Sequence, residues 1–328
     1  MEAIAAPPLG ARRLRRLAAA YGQELVVLGA LVVLMVGVGL YNPRFLSDTS
    51  LTSVFSGNAY IAVAAIGMSM VIITGNIDVS VGALIGVLGT IAGTLAVNGA
   101  PTWVSWGTPL LVGMAVNAVI GVLVAYARIP AIVVTLGMLS ILRGGLISAT
   151  GGKWISGLPS AFRLAQERFF GVPSGVFIAA ILTVIAALWM RYSSTGRAIY
   201  AVGGNAEAAR AAGVRTQGML VLVFALHGFF AGIAAVLFAT QLQVIQSTVP
   251  PNLEMSIITA SVIGGVSILG GTGTVIGSTL AALLFSAIAS ALIFVNISAY
   301  WLRAVLGLLI LGTVLADMAR RRRKGRIQ

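Results

Sequence analysis

Apolar stretches long enough to cross a lipid bilayer recur along almost the whole chain. A bilayer-crossing helix needs about 17–25 mostly apolar residues, and the 328-residue sequence supplies ten such stretches. They cover approximately residues 24–41, 54–74, 79–97, 104–127, 130–150, 174–191, 217–240, 254–270, 274–295 and 299–317. The sequence therefore predicts an all-α, polytopic membrane helix bundle of about ten transmembrane helices.

The composition favours the same conclusion and argues against soluble classes of protein. Hydrophobic residues make up 59% of the chain and charged residues 9%. A soluble domain has roughly 45–50% apolar residues and roughly 25% charged residues. So few charges cannot cover the surface of a water-soluble globule of this size. The net charge of +13 is concentrated near the two ends and in short loops, a distribution typical of membrane orientation. We therefore expect the lipid bilayer, and no nucleic acid, as a partner.

The distribution of Lys and Arg predicts the topology, because cytoplasmic loops of membrane proteins carry an excess of basic residues. Placing both termini in the cytoplasm puts fifteen of the 21 Lys and Arg residues on the inner side. This arrangement requires an even number of spans, which agrees with ten. The predicted organisation is a basic cytoplasmic tail at 1–23, a transmembrane domain at 24–317 and a basic cytoplasmic tail at 318–328. The longest outer loop, about 151–173, is predicted to form a short amphipathic cap.

Residues suited to enzyme chemistry are scarce. The sequence has no cysteine and one histidine, His227, inside an apolar run, where a packed or hydrogen-bonded histidine between helices is expected. A metal site needs several ligands at short spacing, and no such pattern is present. Of the eight carboxylates, Asp78 and Glu254 lie close to the interiors of predicted spans, which leaves open a carrier driven by an ion gradient. We expect a chain that is not an enzyme and that binds no cofactor and no metal.

Two glycine-rich segments interrupt the apolar pattern, GNIDVSVGA at 75–83 and SVIGGVSILGGTGTVIGS at 261–278. A non-helical break at membrane depth is tolerated only where it is buried in protein or lines a water-filled cavity. Asp78 or Ser80 is predicted to cap the following helix, so the first segment is either a pathway-lining hinge or a simple capped turn. The two breaks leave an internal repeat open. The candidate pathway and hinge residues are Gly75, Asn76, Asp78, Ser80, Gly82, Glu254, Gly264, Gly265, Gly270 and Gly271.

The predicted cytoplasmic loop at 192–216 contains a further candidate. Asn205 is a good N-cap, the following alanine-rich residues 206–212 favour a helix, and Gly213 is a suitable stop. Arg210 falls late in this helix, where a positive charge complements the helix dipole. A short helix of small residues with a few charges is suited to docking into a groove of another protein.

Four motifs carry a resemblance to a known family. Three are continuous segments: GNIDVSVG at 75–82, EMSIITASVIGG at 254–265 and GGTGTVIG at 270–277. The fourth lies in the cytoplasmic loop and comprises Gly203, Gly204, Asn205, Ala208, Ala209 and Gly213. The departures from the commonest family form are Asn76, Val79, Met255 and Thr259. From about Tyr21 to Asp317 the chain resembles the permease subunits of bacterial ATP-binding-cassette importers for monosaccharides, of the ribose, xylose, rhamnose and autoinducer-2 type.

The resemblance implies a division of labour between several proteins. A periplasmic sugar-binding protein delivers the substrate, two permease subunits in a homodimer or heterodimer form the pathway across the bacterial inner membrane, and cytoplasmic ATPases hydrolyse ATP. The helix near 204–213 then corresponds to the coupling helix that sits in an ATPase groove. The candidate coupling residues are Gly203, Gly204, Asn205, Glu207, Ala208, Arg210 and Gly213.

Three questions stay open at this point. Glu254, at the start of a predicted span, either faces the binding protein or caps a helix dipole. The sugar is undetermined, although residues 297–301 give a weak indication of the rhamnose and autoinducer types. The alternatives to an importer subunit are an ion-gradient-driven secondary carrier and a channel-like or scaffold protein.

Overall fold

The computed structural model describes residues 9–241, 244–246, 252–298 and 300–325. This part of the chain forms thirteen α-helices and one very small hairpin. The helices are α1 Leu9–Tyr41, α2 Asp48–Ser56, α3 Ala59–Ile73, α4 Val81–Val97, α5 Thr102–Ala125, α6 Ala131–Thr150, α7 Ser174–Tyr192, α8 Ser194–Gly204, α9 Ala206–Ala211, α10 Thr216–Gln241, α11 Leu253–Ile263, α12 Val275–Phe294 and α13 Trp301–Gly325. The hairpin pairs β1 Arg168–Phe169 with β2 Val172–Pro173 in antiparallel register.

Seven helical segments of the described chain are long and apolar enough to cross a membrane. They are Gly22–Tyr41, Asp48–Ile73, Thr102–Ala125, Ala131–Thr150, Ser174–Tyr192, Thr216–Gln241 and Val275–Phe294. Three shorter apolar helices, Val81–Val97, Leu253–Ile263 and Trp301–Leu315, account for the remaining predicted stretches. The prediction of an all-α, polytopic membrane fold is confirmed, and the cytoplasmic location of the termini stays a prediction.

Helix α3 lies at the centre of the bundle, with fourteen of its fifteen residues buried. It packs against α10, α11, α12 and α7, and α10 in turn makes a long contact with α5. Small residues allow these close approaches, as they do in other membrane bundles. A β-carbon added at Gly228 of α10 would overlap the backbone carbonyl of Gly113 in α5.

One predicted boundary is wrong. The stretch predicted to span from 254 to 270 is helical only to Ile263, because Gly265, Gly270 and Gly271 adopt φ angles of 97°, 81° and 78° that a right-handed helix cannot contain. Helix α1 begins at Leu9, its membrane-crossing part begins at Gly22, and the cytoplasmic tail at 1–23 stays a prediction.

The loop at 151–173 is not an amphipathic helix. It contains a single 3-10 turn, Leu164–Gln166, and the hairpin. Its glycines explain this difference, since Gly151, Gly152 and Gly157 all have positive φ angles that interrupt a helix. The backbone of Ile155 also pairs with that of Ile245, with two N···O distances of 2.9 Å.

Candidate functional site

The first glycine-rich break, residues 74–80, is folded around the Asp78 carboxylate. Its Oδ1 atom accepts hydrogen bonds from the backbone N–H of Ser80 at 2.8 Å and from the Ser80 hydroxyl at 2.5 Å. Both side chains are fully buried. Asp78 therefore closes a tight turn with Ser80, the N-cap residue of α4. Neither side chain makes a capping bond to the first turn of that helix, so the predicted cap by Asp78 or Ser80 is not formed.

The other oxygen of Asp78 faces His227 of α10. Asp78 Oδ2 lies 3.5 Å from His227 Nε2, and both side chains have no exposed surface. Among the described residues, neither this oxygen nor either His227 ring nitrogen has a hydrogen-bond partner. His227 is close to the middle of α10, about 17 Å from Thr216 along the helix axis. The predicted packed histidine thus faces the first break in the interior of the bundle.

Glu254 lies at a contact between the N-termini of two short helices. A β-carbon on Gly82, at the start of α4, would overlap the Glu254 carboxylate and approach its backbone nitrogen, at the start of α11, to 2.8 Å. At 17 and eleven residues, these helices are about 25 and 16 Å long, and the second is too short to cross a bilayer. The positive ends of both helix dipoles therefore converge near this carboxylate.

Glu254 forms an ion pair with Arg143 of α6. Nη2 of Arg143 donates to Oε1 of Glu254 at 3.0 Å, and the Arg143 side chain is 40% exposed. The Glu254 residue itself is only 5% exposed, which is inconsistent with the predicted alternative that it faces a periplasmic protein. Its Oε2 atom and Arg143 Nε are buried without a hydrogen-bond partner in the described residues. We call Asp78, His227, Glu254 and Arg143 the polar centre.

The second break, residues 264–274, meets the first at backbone level. The Gly271 N–H donates to the Ile73 carbonyl oxygen at 2.8 Å. A β-carbon on Gly270 would lie 3.0 Å from the Gly75 nitrogen and 2.8 Å from the Gly203 oxygen. The two motifs that the sequence separates by almost 190 residues are therefore in direct contact.

The end of α8 completes this contact. A β-carbon on Gly203 would overlap the Ile73 carbonyl oxygen, and one on Gly271 would lie 2.8 Å from the Gly204 Cα. We call these residues the glycine junction: Ile73, Gly75, Gly203, Gly204, Gly270 and Gly271. Gly203 and Gly204 were predicted to belong to the coupling helix, but they are the last two residues of α8.

Two side-chain hydrogen bonds hold the second break beside the junction. The Tyr200 hydroxyl of α8 donates to the Gly273 carbonyl oxygen at 2.9 Å, and the Thr274 hydroxyl donates to Glu24 Oε1 of α1 at 2.5 Å. Burial, together with the nearby Glu24 carboxylate, raises the pKa of Tyr200 above its usual value. The phenol therefore keeps its proton and remains a donor over a wide pH range.

Helix α9 projects beyond the junction as the predicted short helix. Asn205 Oδ1 accepts from the Ala208 backbone N–H at 2.9 Å, and the chain leaves the helix through Gly213 at a φ of 87°. Of its six residues only Ala209 is buried, so Glu207, Ala208 and Arg210 stand on an exposed surface. The helix extends over Ala206–Ala211, one residue shorter than predicted, and the predicted N-cap is confirmed.

The remaining hinge candidates support the breaks without joining the polar centre. Gly264 packs so tightly on α12 that a β-carbon would overlap the Ser278 nitrogen, and one on Gly265 would lie 2.5 Å from the Gln23 side chain. Asn76 Nδ2 donates to the Thr74 hydroxyl at 3.1 Å.

Two participants were missed by the sequence reasoning. Arg143 was counted only as a basic residue outside the cytoplasmic loops, although an arginine inside an apolar stretch is itself a signal of function. Glu24 was not assigned a role, yet it is 7% exposed and anchors Thr274. No group of three His, Asp or Glu side chains in the described residues could hold a metal ion.

Comparisons with known proteins agree with this geometry. Residues 50–314 match a family described as the permease component of the branched-chain amino acid transport system. The chain is 38% identical over 296 residues to the autoinducer 2 import system permease protein LsrC of Salmonella typhi, covering 90% of this chain and 85% of that protein. The proteins of the same name in Escherichia coli O9:H4 and Salmonella typhimurium are also 38% identical over 90% of this chain. No solved structure matches.

A bundle of apolar helices with buried charged groups is typical of an integral membrane protein that has a functional site in its interior. The match over residues 50–314 shows that the chain belongs to the family of transport-system permease components. The relatives also confirm the resemblance to importer permeases of the autoinducer-2 type that the four motifs indicate.

Proposed function

We propose that this chain is the permease subunit of an ATP-driven, binding-protein-dependent importer of a small sugar-like molecule, autoinducer 2 being the first candidate substrate. The observation that carries the proposal is the 38% identity over 90% of the chain to permeases named for autoinducer 2 import. The family description names branched-chain amino acids instead. The relatives are the better guide to the substrate, because their similarity extends over almost the whole chain.

Helix α9 is the proposed contact with a cytoplasmic ATPase of the ATP-binding-cassette type. Its exposed alanines present a narrow surface that fits a groove, and Glu207 and Arg210 add one charge of each sign. The Asn205 cap defines where the helix begins. Gly213 ends it at a backbone angle that favours glycine.

The glycine junction is the proposed route from α9 to the pathway. A movement of α9 pulls on α8 through Asn205, and α8 touches both breaks at Gly203. Because these contacts are between backbone atoms, a side-chain rotation cannot absorb the movement. The first break immediately precedes α4, and the second immediately follows α11. The N-termini of these two helices meet at the polar centre.

The proposed complete importer contains two permease subunits, as a homodimer or heterodimer, two ATPases and a periplasmic sugar-binding protein. The pathway residues in this proposal are those of the first break and Glu254. A conformational change driven by nucleotide requires that the ATPases bind the two states of the permease with different affinity.

Reconstitution tests this function. The chain is placed in lipid vesicles with an ATPase of the ATP-binding-cassette type and a sugar-binding protein from the same organism. Uptake of labelled autoinducer 2, ribose and rhamnose is measured with and without ATP. We expect uptake of one of these solutes that requires ATP and the binding protein. Uptake by the chain alone under a proton or sodium gradient would identify the secondary carrier instead.

A further inference from the structure

Arg143 occupies an unusual position for a charged residue. It is the thirteenth of the twenty residues of α6, about 18 Å along the helix from Ala131 and about 10 Å from Thr150. It is therefore well inside an apolar span. A long side chain that far from either end does not easily reach the membrane surface.

The exposed part of Arg143 needs an aqueous surrounding. One nitrogen is paired with Glu254, but 40% of the side chain is exposed, and charged groups inside spans face the bundle interior or a water-filled cavity. Helix α6 buries only Ala131, Thr135 and Leu146 and packs against α4 and α5. We therefore expect the side of α6 that carries the Arg143 guanidinium to face water.

Glu254 and Arg143 together offer both kinds of hydrogen-bonding group. A guanidinium has five N–H donors, and an ionised carboxylate has two acceptor oxygens. Their contact with each other uses one donor and one oxygen, while Arg143 Nε and Glu254 Oε2 are buried without a partner within the described residues. A molecule with neighbouring hydroxyl and carbonyl groups can accept hydrogen bonds from the Arg143 guanidinium and donate a hydrogen bond to the Glu254 carboxylate.

Helix α6 also reaches the first break. The Thr135 hydroxyl, two turns from Arg143, donates to the Ile77 carbonyl oxygen at 3.5 Å. The same helix thus touches the segment before α4 and the first turn of α11. The pair is consequently positioned by three elements whose relative placement depends on the breaks.

We propose that Arg143 and Glu254 form a solute-binding subsite in the translocation pathway, where they hydrogen-bond a small, hydroxyl-bearing, sugar-like molecule. This inference rests on the proposed function and adds two named residues in contact with the solute. Arg143 donates to oxygen atoms of the solute, and Glu254 accepts from its hydroxyl groups. The subsite lies on the flank of α6 that also carries Leu136 and Ile147.

The first test measures water access and leaves the ion pair intact. The sequence contains no cysteine, so a single introduced cysteine is the only thiol. Leu136→Cys and Ile147→Cys place it within about 40° of Arg143 around α6, and Ile141→Cys places it about 160° away. All three wild-type side chains are exposed, by 48%, 53% and 67%.

We expect a charged, membrane-impermeant thiosulfonate reagent to modify the cysteines at 136 and 147. The cysteine at 141 should react at least about tenfold more slowly, because a thiol in lipid is not ionised. Equal rates at the three positions, or a faster reaction at 141, would overturn the proposal.

The second test measures transport. The double variant Arg143→Gln/Glu254→Gln removes both charges while two amide side chains can still pair. In the reconstituted importer we expect the KM for the transported solute to rise about tenfold or more. Arg303→Gln is the matched control, since Arg303 is an exposed arginine near the start of α13. An unchanged KM in the double variant overturns the subsite.

The two proposals fail in different ways. If the unaltered assembly shows no ATP-dependent uptake of autoinducer 2, ribose or rhamnose, the proposed function is wrong. Cysteine modification needs only the folded chain in a membrane, so it still decides whether the Arg143 flank faces water. If the double variant does not fold, Arg143→Lys keeps the charge but loses the forked geometry, and the same rise in KM is expected.

Discussion

Gly271 donates its backbone N–H to the Ile73 carbonyl oxygen at 2.8 Å, and Gly203 of α8 lies against the same oxygen. Three segments that are far apart in sequence therefore meet at the Ile73 carbonyl oxygen. Glycine is required at Gly203 because any β-carbon would overlap that carbonyl group. The contact links the helix that precedes α9 to both interruptions of the bundle.

Substituting Gly203 tests the junction. Gly203→Ala should force the backbones of α8 and α3 apart, and such overpacking costs about 1–3 kcal/mol. We expect ATP-dependent uptake to fall by at least about tenfold, measured in reconstituted vesicles. Gly204→Ala is the control, because nothing lies within 4 Å of a β-carbon at that neighbouring position, and its uptake should be normal. Equal ATP-dependent uptake by the Gly203→Ala and Gly204→Ala variants would show that the glycine junction does not transmit the coupling movement.

The cap of α9 can be tested without adding bulk. Asn205→Ala removes the bond to the Ala208 N–H, which should destabilise the first turn by about 1 kcal/mol. We expect more ATP hydrolysed per solute imported, because a frayed helix transmits movement poorly. Asn205→Asp keeps the acceptor oxygen and should preserve the wild-type ratio. A wild-type ratio in the alanine variant would show that the cap is not needed for coupling.

Replacing Gly213 by a bulky residue is a stronger perturbation. Its φ of 87° is strained for any β-branched residue, so Gly213→Val should distort the exit from α9. We expect the chain to insert normally into the membrane while uptake is lost and ATP hydrolysis continues. Insertion is checked by membrane fractionation, and normal uptake would exclude a coupling role for this end of the helix.

Asp78 can be neutralised while its turn with Ser80 is retained. In Asp78→Asn the amide oxygen can still accept from the Ser80 N–H, so the start of α4 should persist. The negative charge beside His227 is lost, and we expect uptake to fall sharply with normal expression. Unchanged transport kinetics would mean that Asp78 serves only to hold the turn before α4.

Tyr200 predicts a pH dependence of stability. Tyr200→Phe removes the hydrogen bond to Gly273 and should cost about 1 kcal/mol, measured as a lower thermal midpoint in detergent. The folded-state pKa of Tyr200 is raised, so the stabilisation is complete below about pH 10, the unfolded value, and is lost as the pH rises through the folded pKa. Tyr192→Phe, at an exposed tyrosine, should have no such effect. A pH-independent difference would contradict the assignment.

The apolar stretches were enough to predict the membrane fold, because bilayer thickness fixes the length of a spanning helix. Glycine and Asn or Asp at the ends of apolar runs also predicted the first break and α9. The pairing of distant segments could not be predicted this way. Arg143 and Glu254 are 111 positions apart, and periodicity within each helix says nothing about which helices become neighbours.

The same reasoning explains why the second break was placed only approximately. Residues 264–270 are apolar enough to extend a span by composition, and only the positive φ angles of their glycines show that the chain turns. A hydropathy pattern records the preference of side chains for lipid. It does not record the backbone angles that end a helix.

The shortness of α11 has a mechanical consequence. A helix of eleven residues is a rigid element about 16 Å long. Glu254 lies near its N-terminus, and the second break, which is hydrogen-bonded to Ile73, follows its C-terminus. A shift of the second break by a few ångströms along the helix axis would move the N-terminus of α11 by nearly the same distance. In the proposed importer, a movement that begins at α9 can therefore reach Glu254 and Arg143 without bending of the long helices around them.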